Sequence, residues 1–175
     1  MKLTLGLFVM LSIMMPQLGH ADRTPFSFLQ PGELVNDDSL QQVSDADREL
    51  IEEASTIICQ KIACDDIPEI TVVADPDGNS VCQVASHDIA DRLFIWPVDS
   101  GSRMEHKIGC LVYLLTKEVF TDSVPEVCSN PHYAGRVAIG ADILKDIAEK
   151  ATSPTENVKN KLSSLSDGLH RSCVA

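Results

Sequence analysis

The segment His106-Lys107-Ile108-Gly109-Cys110 holds the residue types and spacing that come nearest to an active site in this chain. An imidazole and a thiol four residues apart share one face of a helix, so both point the same way. Two ligands at that spacing can hold zinc, and a glutamate beside the first then takes the proton from metal-bound water. Here the neighbour of His106 is Lys107, whose ammonium cannot accept a proton while charged and repels a nearby dication. Cys110 with His106 is also a nucleophile–base pair in outline, but that role needs a free thiol. The simpler reading makes His106 a polar residue in the first turns of a core helix, Lys107 solvated and Cys110 a half-cystine.

Two other clusters carry less. Asp75, Asp77 and Asn79 supply the first alternating oxygens of a calcium loop, but Ser80 stands at its glycine and Ser86 at its bidentate glutamate. The same stretch, Asp75-Pro76-Asp77-Gly78-Asn79, reads better as a hairpin-like turn. His87-Asp88 and Asp91 read as a solvated polar loop rather than a cation site. There is no glycine-rich phosphate loop, GxSxG elbow or CxxC pair. The residues on their own therefore assign no catalytic group.

The elements that must position these residues follow from periodicity and capping. Ser44 is an N-cap with Asp47 three residues on, and Leu50, Ile51, Ala54, Ile57, Ile58 and Ile62 recur at helical spacing behind it. Ile70 to Ala74 is a β-branched strand, Val81 to Ala85 a second, and Arg92 to Val98 a third, with Phe94 and Trp96 on one face. A second helix is expected from Arg103 to about Phe120. Its stripe of Ile108, Leu111, Val112, Leu115 and Val119 is the most apolar beyond the leader and marks the central helix. A third is expected from about Gly135 to Lys150. A fourth starts at Ser153-Pro154-Thr155-Glu156 and ends at Gly168. The expected fold class is α+β, a small three-stranded sheet with about four helices.

That order resembles the minimal gluzincin metallopeptidases, whose zinc helix reads HEIGH-like and whose third-ligand helix reads EAD-like. The resemblance spans roughly residues 45 to 150. It rests on the element order, the Asp75-Pro76-Asn79 turn, the edge-like Leu93-Phe94-Ile95 and the later Gly140-Ala141-Asp142. It implies that His106 matches the first zinc ligand, Lys107 the general base, Cys110 the second ligand, Gly140 the third and Asp142 the supporting acid. Of these only His106 and Asp142 keep a suitable side chain, so the resemblance implies a catalytically inactive relative without a cofactor. The rival expectation is a zinc hydrolase with an altered ligand set, His106 being joined by His87, His132 or Asp142.

The bulk properties place the chain. Lys2, the apolar run Leu3 to Met15 and Gly19-His20-Ala21 form an export signal over residues 1–21. Its apolar run is too short to span a bilayer, so no membrane insertion is expected after cleavage. Residues 22–43, with Pro25, Pro31, Gly32 and Asn36-Asp37-Asp38, read as an extended or flexible arm, and 44–175 as one domain. Cys59, Cys64, Cys82, Cys110, Cys128 and Cys173 all lie beyond the leader and suit disulfides in the periplasm or outside the cell. Six cysteines allow fifteen full pairings, and Cys128 is the expected partner of Cys173. Without Lys2 the chain has 13 basic against 26 acidic residues, a net charge of −13. Such a surface disfavours nucleic acid and anionic lipid and favours a basic protein as partner. The functional expectation is an exported, non-catalytic protein-binding domain of the inhibitor or immunity kind.

Overall fold

The computed structural model describes residues 24–29, 40–75, 84–88, 91–97, 103–120 and 125–173. The leader, Cys82 and the Pro76–Asn79 turn lie outside the described residues. The order of elements is β1 (Phe26–Phe28), α1 (Asp45–Cys59), β2 (Ile70–Asp75), β3 (Val84–Asp88), β4 (Asp91–Pro97), α2 (Met104–Val119), α3 (Pro131–Lys150) and α4 (Glu156–Cys173). The fold is α+β. The strands lie in the order β1-β2-β4-β3, with β2 parallel to β1 and β4, and β3 antiparallel to β4 at one edge.

The fourth strand comes from the segment read as an arm. Phe26 to Phe28 pair with Ile70 to Val72, and Gln41 exchanges two 2.8 Å backbone hydrogen bonds with Ala74. Burial draws this segment in: Phe28 is buried beneath the Arg48 guanidinium, and the Phe26 ring lies 6.0 Å from that of Phe94. Three residues are too few to form a strand without a ready-made neighbour, so local pattern alone carries little sign of it.

Capping sets the helix starts. Ser44 Oγ accepts the Asp47 backbone N–H at 3.1 Å, as its sequence position predicts. α3 begins at Pro131 rather than near Gly135, because Asn130 Oδ1 accepts the His132 N–H at 3.0 Å and Pro131 needs no donor at the first helical position. α4 begins at Glu156, later than the Ser153 cap implies. The Glu53 carboxylate takes the Thr152 and Ser153 N–H groups at 2.6 and 2.8 Å, while Thr155 O accepts the first helical bond from Lys159. Nor does α4 stop at Gly168; it continues to Cys173. A Cβ at Gly168 would meet nothing within 4 Å, and its backbone has no positive φ to end a helix on.

α2 is the central helix. Ile108, Leu111 and Leu115 are fully buried, between Ile51 and Ile58 of α1, Phe94 and Trp96 of β4, and Ile143, Leu144 and Ile147 of α3. Disulfides brace the periphery: Cys59–Cys64 closes the end of α1, and Cys128–Cys173 ties the end of α4 to the loop before α3. Cys110 is also disulfide-bonded, and no described cysteine is free. Among the described residues no helix is long and apolar enough to cross a membrane.

Candidate functional site

The first turns of α2 split their chemistry between two faces. Successive helical residues are turned by about 100° from one another, so His106 and Cys110 face α3 and α4 while Lys107 turns toward the sheet. Lys107 is not solvated as its sequence position suggests. It is only 6% exposed, with Nζ 5.6 Å from the centre of the Trp96 ring. Its methylene stem packs in the core and its ammonium sits against the indole face, an arrangement that suits an amphipathic side chain. Trp96 Nε1 is buried with no hydrogen-bond partner among the described residues.

On the other face, His106, Cys110 and Gly140 line one groove of about 340 Å³ between α2, α3 and α4. Gly140 of α3 packs against α2; a Cβ there would lie 3.7 Å from Val112 Cγ1. Gly109 makes the matching approach to α4, 3.5 Å from Leu165 Cδ2. Leu144, Leu165 and Leu169 continue the apolar wall. Asp142 points elsewhere: it is exposed on α3, with Oδ1 3.2 Å from His170 Nε2 of α4.

The donor set in this groove is thin. His106 is exposed at its mouth, Cys110 as a half-cystine offers no thiolate, and glycine offers no ligand at all. Among the described residues no three His, Cys, Asp or Glu side chains gather as a metal site. His132 is exposed at the start of α3 and is not part of the groove wall, and the side chain of His87 lies outside the description. The disulfide at Cys110 likewise removes the thiol that a Cys110–His106 nucleophile pair would need.

The opposite end of the groove holds a cluster that the sequence reading missed. Arg136 is 4% exposed, with its guanidinium carbon 5.3 Å from the Tyr113 ring centre and 5.1 Å from that of Tyr133. Its Nη2 lies 3.1 Å from Glu126 Oε1, which also accepts the Tyr113 hydroxyl at 2.8 Å. Those hydrogen bonds, from Tyr113 first and then Arg136, hold the Glu126 carboxyl below the usual carboxylate range. The signal was present as the run Tyr133, Arg136, Val137, Gly140 and Leu144, which recurs at helical spacing.

Beside the His106 end, Glu105 is 6% exposed and meets Lys161 of α4 at 3.4 Å. Burial alone would raise the Glu105 carboxyl. Its own backbone N–H and the Lys161 ammonium outweigh that and hold it below the ordinary glutamate value. Charged ties of this sort fix α4 over the groove at one end, as Cys128–Cys173 does from the other side.

Comparison with known proteins gives no match to a family model, to a curated protein or to a solved structure.

Proposed function

We propose that this chain is an exported, non-catalytic domain that acts by binding another protein, as an inhibitor or immunity protein does. The observation that carries the reading is the convergence of His106, Cys110 and Gly140 on one groove. Water placed there would meet a single exposed imidazole and two positions without a usable donor, and the nearby Glu105 carboxylate is engaged by Lys161. The resemblance to minimal gluzincin domains fits this reading as a relation of scaffold without chemistry. The disulfides suit a site of action in the periplasm or outside the cell. The charge balance of 14 basic against 26 acidic residues favours a basic partner surface.

Three measurements on the exported protein test the reading together. A pull-down from envelope extract is expected to return a specific basic protein, metal analysis to find no stoichiometric zinc, and peptidase assays to find no turnover. Zinc at one equivalent, lost along with hydrolysis in His106→Ala, would instead establish the hydrolase with an altered ligand set.

A further inference from the structure

Lys107 and Trp96 bring two unpaired donors together inside the molecule. The Lys107 ammonium lies 5.6 Å from the centre of the Trp96 ring and makes no ion pair or hydrogen bond among the described residues. Trp96 Nε1, on the rim of that ring, is buried and has no acceptor among them either. Lys107 is 6% exposed and Trp96 not at all.

Burial makes both omissions costly. An indole N–H taken out of water forfeits a hydrogen bond, and an ammonium forfeits far more unless a negative charge stands beside it. The indole face attracts the cation, but 5.6 Å is near the outer limit of that contact, and a ring face gives Nε1 nothing to donate to. A water molecule can accept from Nε1, yet it leaves the charge of the ammonium unmatched. One acceptor that is also an anion satisfies both groups at once.

The position favours negative charge as well. Trp96 stands one residue before the end of β4, and α2, the next element, starts at Met104 with no side-chain cap from Arg103. A lysine leans toward the N-terminus of its own helix, so Lys107 extends toward the positive end of the α2 dipole, where Arg103 adds a second positive charge. The acid of the first turn, Glu105, is turned about 200° from Lys107 around the helix and is held by Lys161. The net charge of −12 belongs to the whole surface and is screened by salt, whereas two buried donors are not. Size and charge then limit the ligand. It must fit between side chains that are almost or wholly enclosed, and one ammonium balances one negative charge. A dianion, or a carboxylate carried on a larger molecule, brings more to desolvate than two donors return.

We propose that Lys107 Nζ and Trp96 Nε1 bind one small monovalent anion, a halide such as chloride, at the junction of β4 and α2. The ion enters beside Lys107, accepts from both nitrogens and fastens the start of α2 to the sheet. This inference goes beyond the partner-binding reading and does not depend on it.

Trp96 is the sole tryptophan, so its fluorescence reports on the site directly. The test titrates the disulfide-intact exported protein with sodium bromide, a heavy-atom quencher, with ionic strength held constant by sodium gluconate. A fully buried indole is shielded from collisions with dissolved ions. Saturable quenching that chloride reverses is therefore expected, from bromide bound at the site. Thermal unfolding gives a second readout: chloride at about four times its dissociation constant should raise the folding equilibrium constant about fivefold over gluconate. Lys107→Met is expected to lose the saturable quenching, and Trp96→Phe to weaken the stabilisation by chloride; either alone suffices should the other fail to fold. Quenching that never saturates, saturable quenching retained in folded Lys107→Met, undiminished chloride stabilisation in folded Trp96→Phe, or equal stabilisation by gluconate would overturn the proposal. No protein partner enters these measurements, so they are decided separately from the pull-down.

Discussion

Glu53 shows how one side chain can join distant parts of this fold. Its carboxylate on α1 accepts the Thr152 and Ser153 backbone N–H groups and the Thr152 hydroxyl at 2.6, 2.8 and 2.8 Å, and so holds the turn between α3 and α4. Burial pushes this carboxyl up, but the hydrogen bonds from Ser153 and Thr152 outweigh it and set its pKa to about 2. A lowered folded-state value means that the stabilisation is complete above the ordinary glutamate pKa and disappears as pH falls through about 2. Glu53→Ala is therefore expected to cost about 1–2 kcal/mol in urea unfolding at pH 7, and the gap to the parent protein should close progressively below about pH 4. A gap independent of pH would show that the contribution is packing rather than charge. Lys107 gives a different prediction. Its buried ammonium has an indole face but no ion pair among the described residues. Lys107→Met should change stability by less than about 1 kcal/mol, since lost cation–π attraction is offset by relief of desolvation. Lys107→Glu turns a carboxylate toward the negative face of Trp96 and should cost about 3 kcal/mol or more, read from the same unfolding curves.

Among the elements, α4 depends most on ties outside itself. Much of its surface is polar, with Leu162 and Ser166 its buried residues, Ser166 Oγ donating to Ala141 O at 2.8 Å. The Cys128–Cys173 bridge closes a sequence separation of 45, whereas Cys59–Cys64 closes only 5. Loop-closure entropy then assigns about 4 kcal/mol to the first and about 2 kcal/mol to the second. Replacing the first pair by serine should lower stability the more, and hydrogen exchange should show α4 losing protection before α2 does. Equal losses from the two double variants would contradict the entropic account. α1 and α2 were legible because their stripes and the Ser44 cap are local. The start of α3 at Pro131 was legible in principle too, since asparagine before proline is a cap signal. By contrast, the capture of Thr152 and Ser153 by Glu53 joins residues about 100 positions apart, and no local rule shows it.

At the scale of the whole molecule, the net charge of −12 acts over distances longer than any single contact. A basic partner should associate faster at low salt, with the on-rate falling at least tenfold between about 0.05 and 0.5 M ionic strength while the off-rate changes little. An on-rate indifferent to salt would remove charge from the account of recognition. The shape of the molecule sets the other half of its behaviour. α2 lies at the centre with one side against the sheet, and its opposite side is left to form a groove with α3 and α4.

The sequence by itself determined the α+β class and the central place of α2, because each depends on residue type and near-neighbour spacing. Tertiary structure decided the rest. Phe26 to Phe28 became a strand once β2 stood ready to pair, and Lys107 became a core residue once Trp96 lay beneath it. Arg136 acquired meaning from Tyr113 and Glu126, which approach it from α2 and the preceding loop. The physical reason is common to all three: capping and amphipathic stripes are energies within a few residues of chain, whereas pairing, desolvation and cavity shape exist only after separate elements have met.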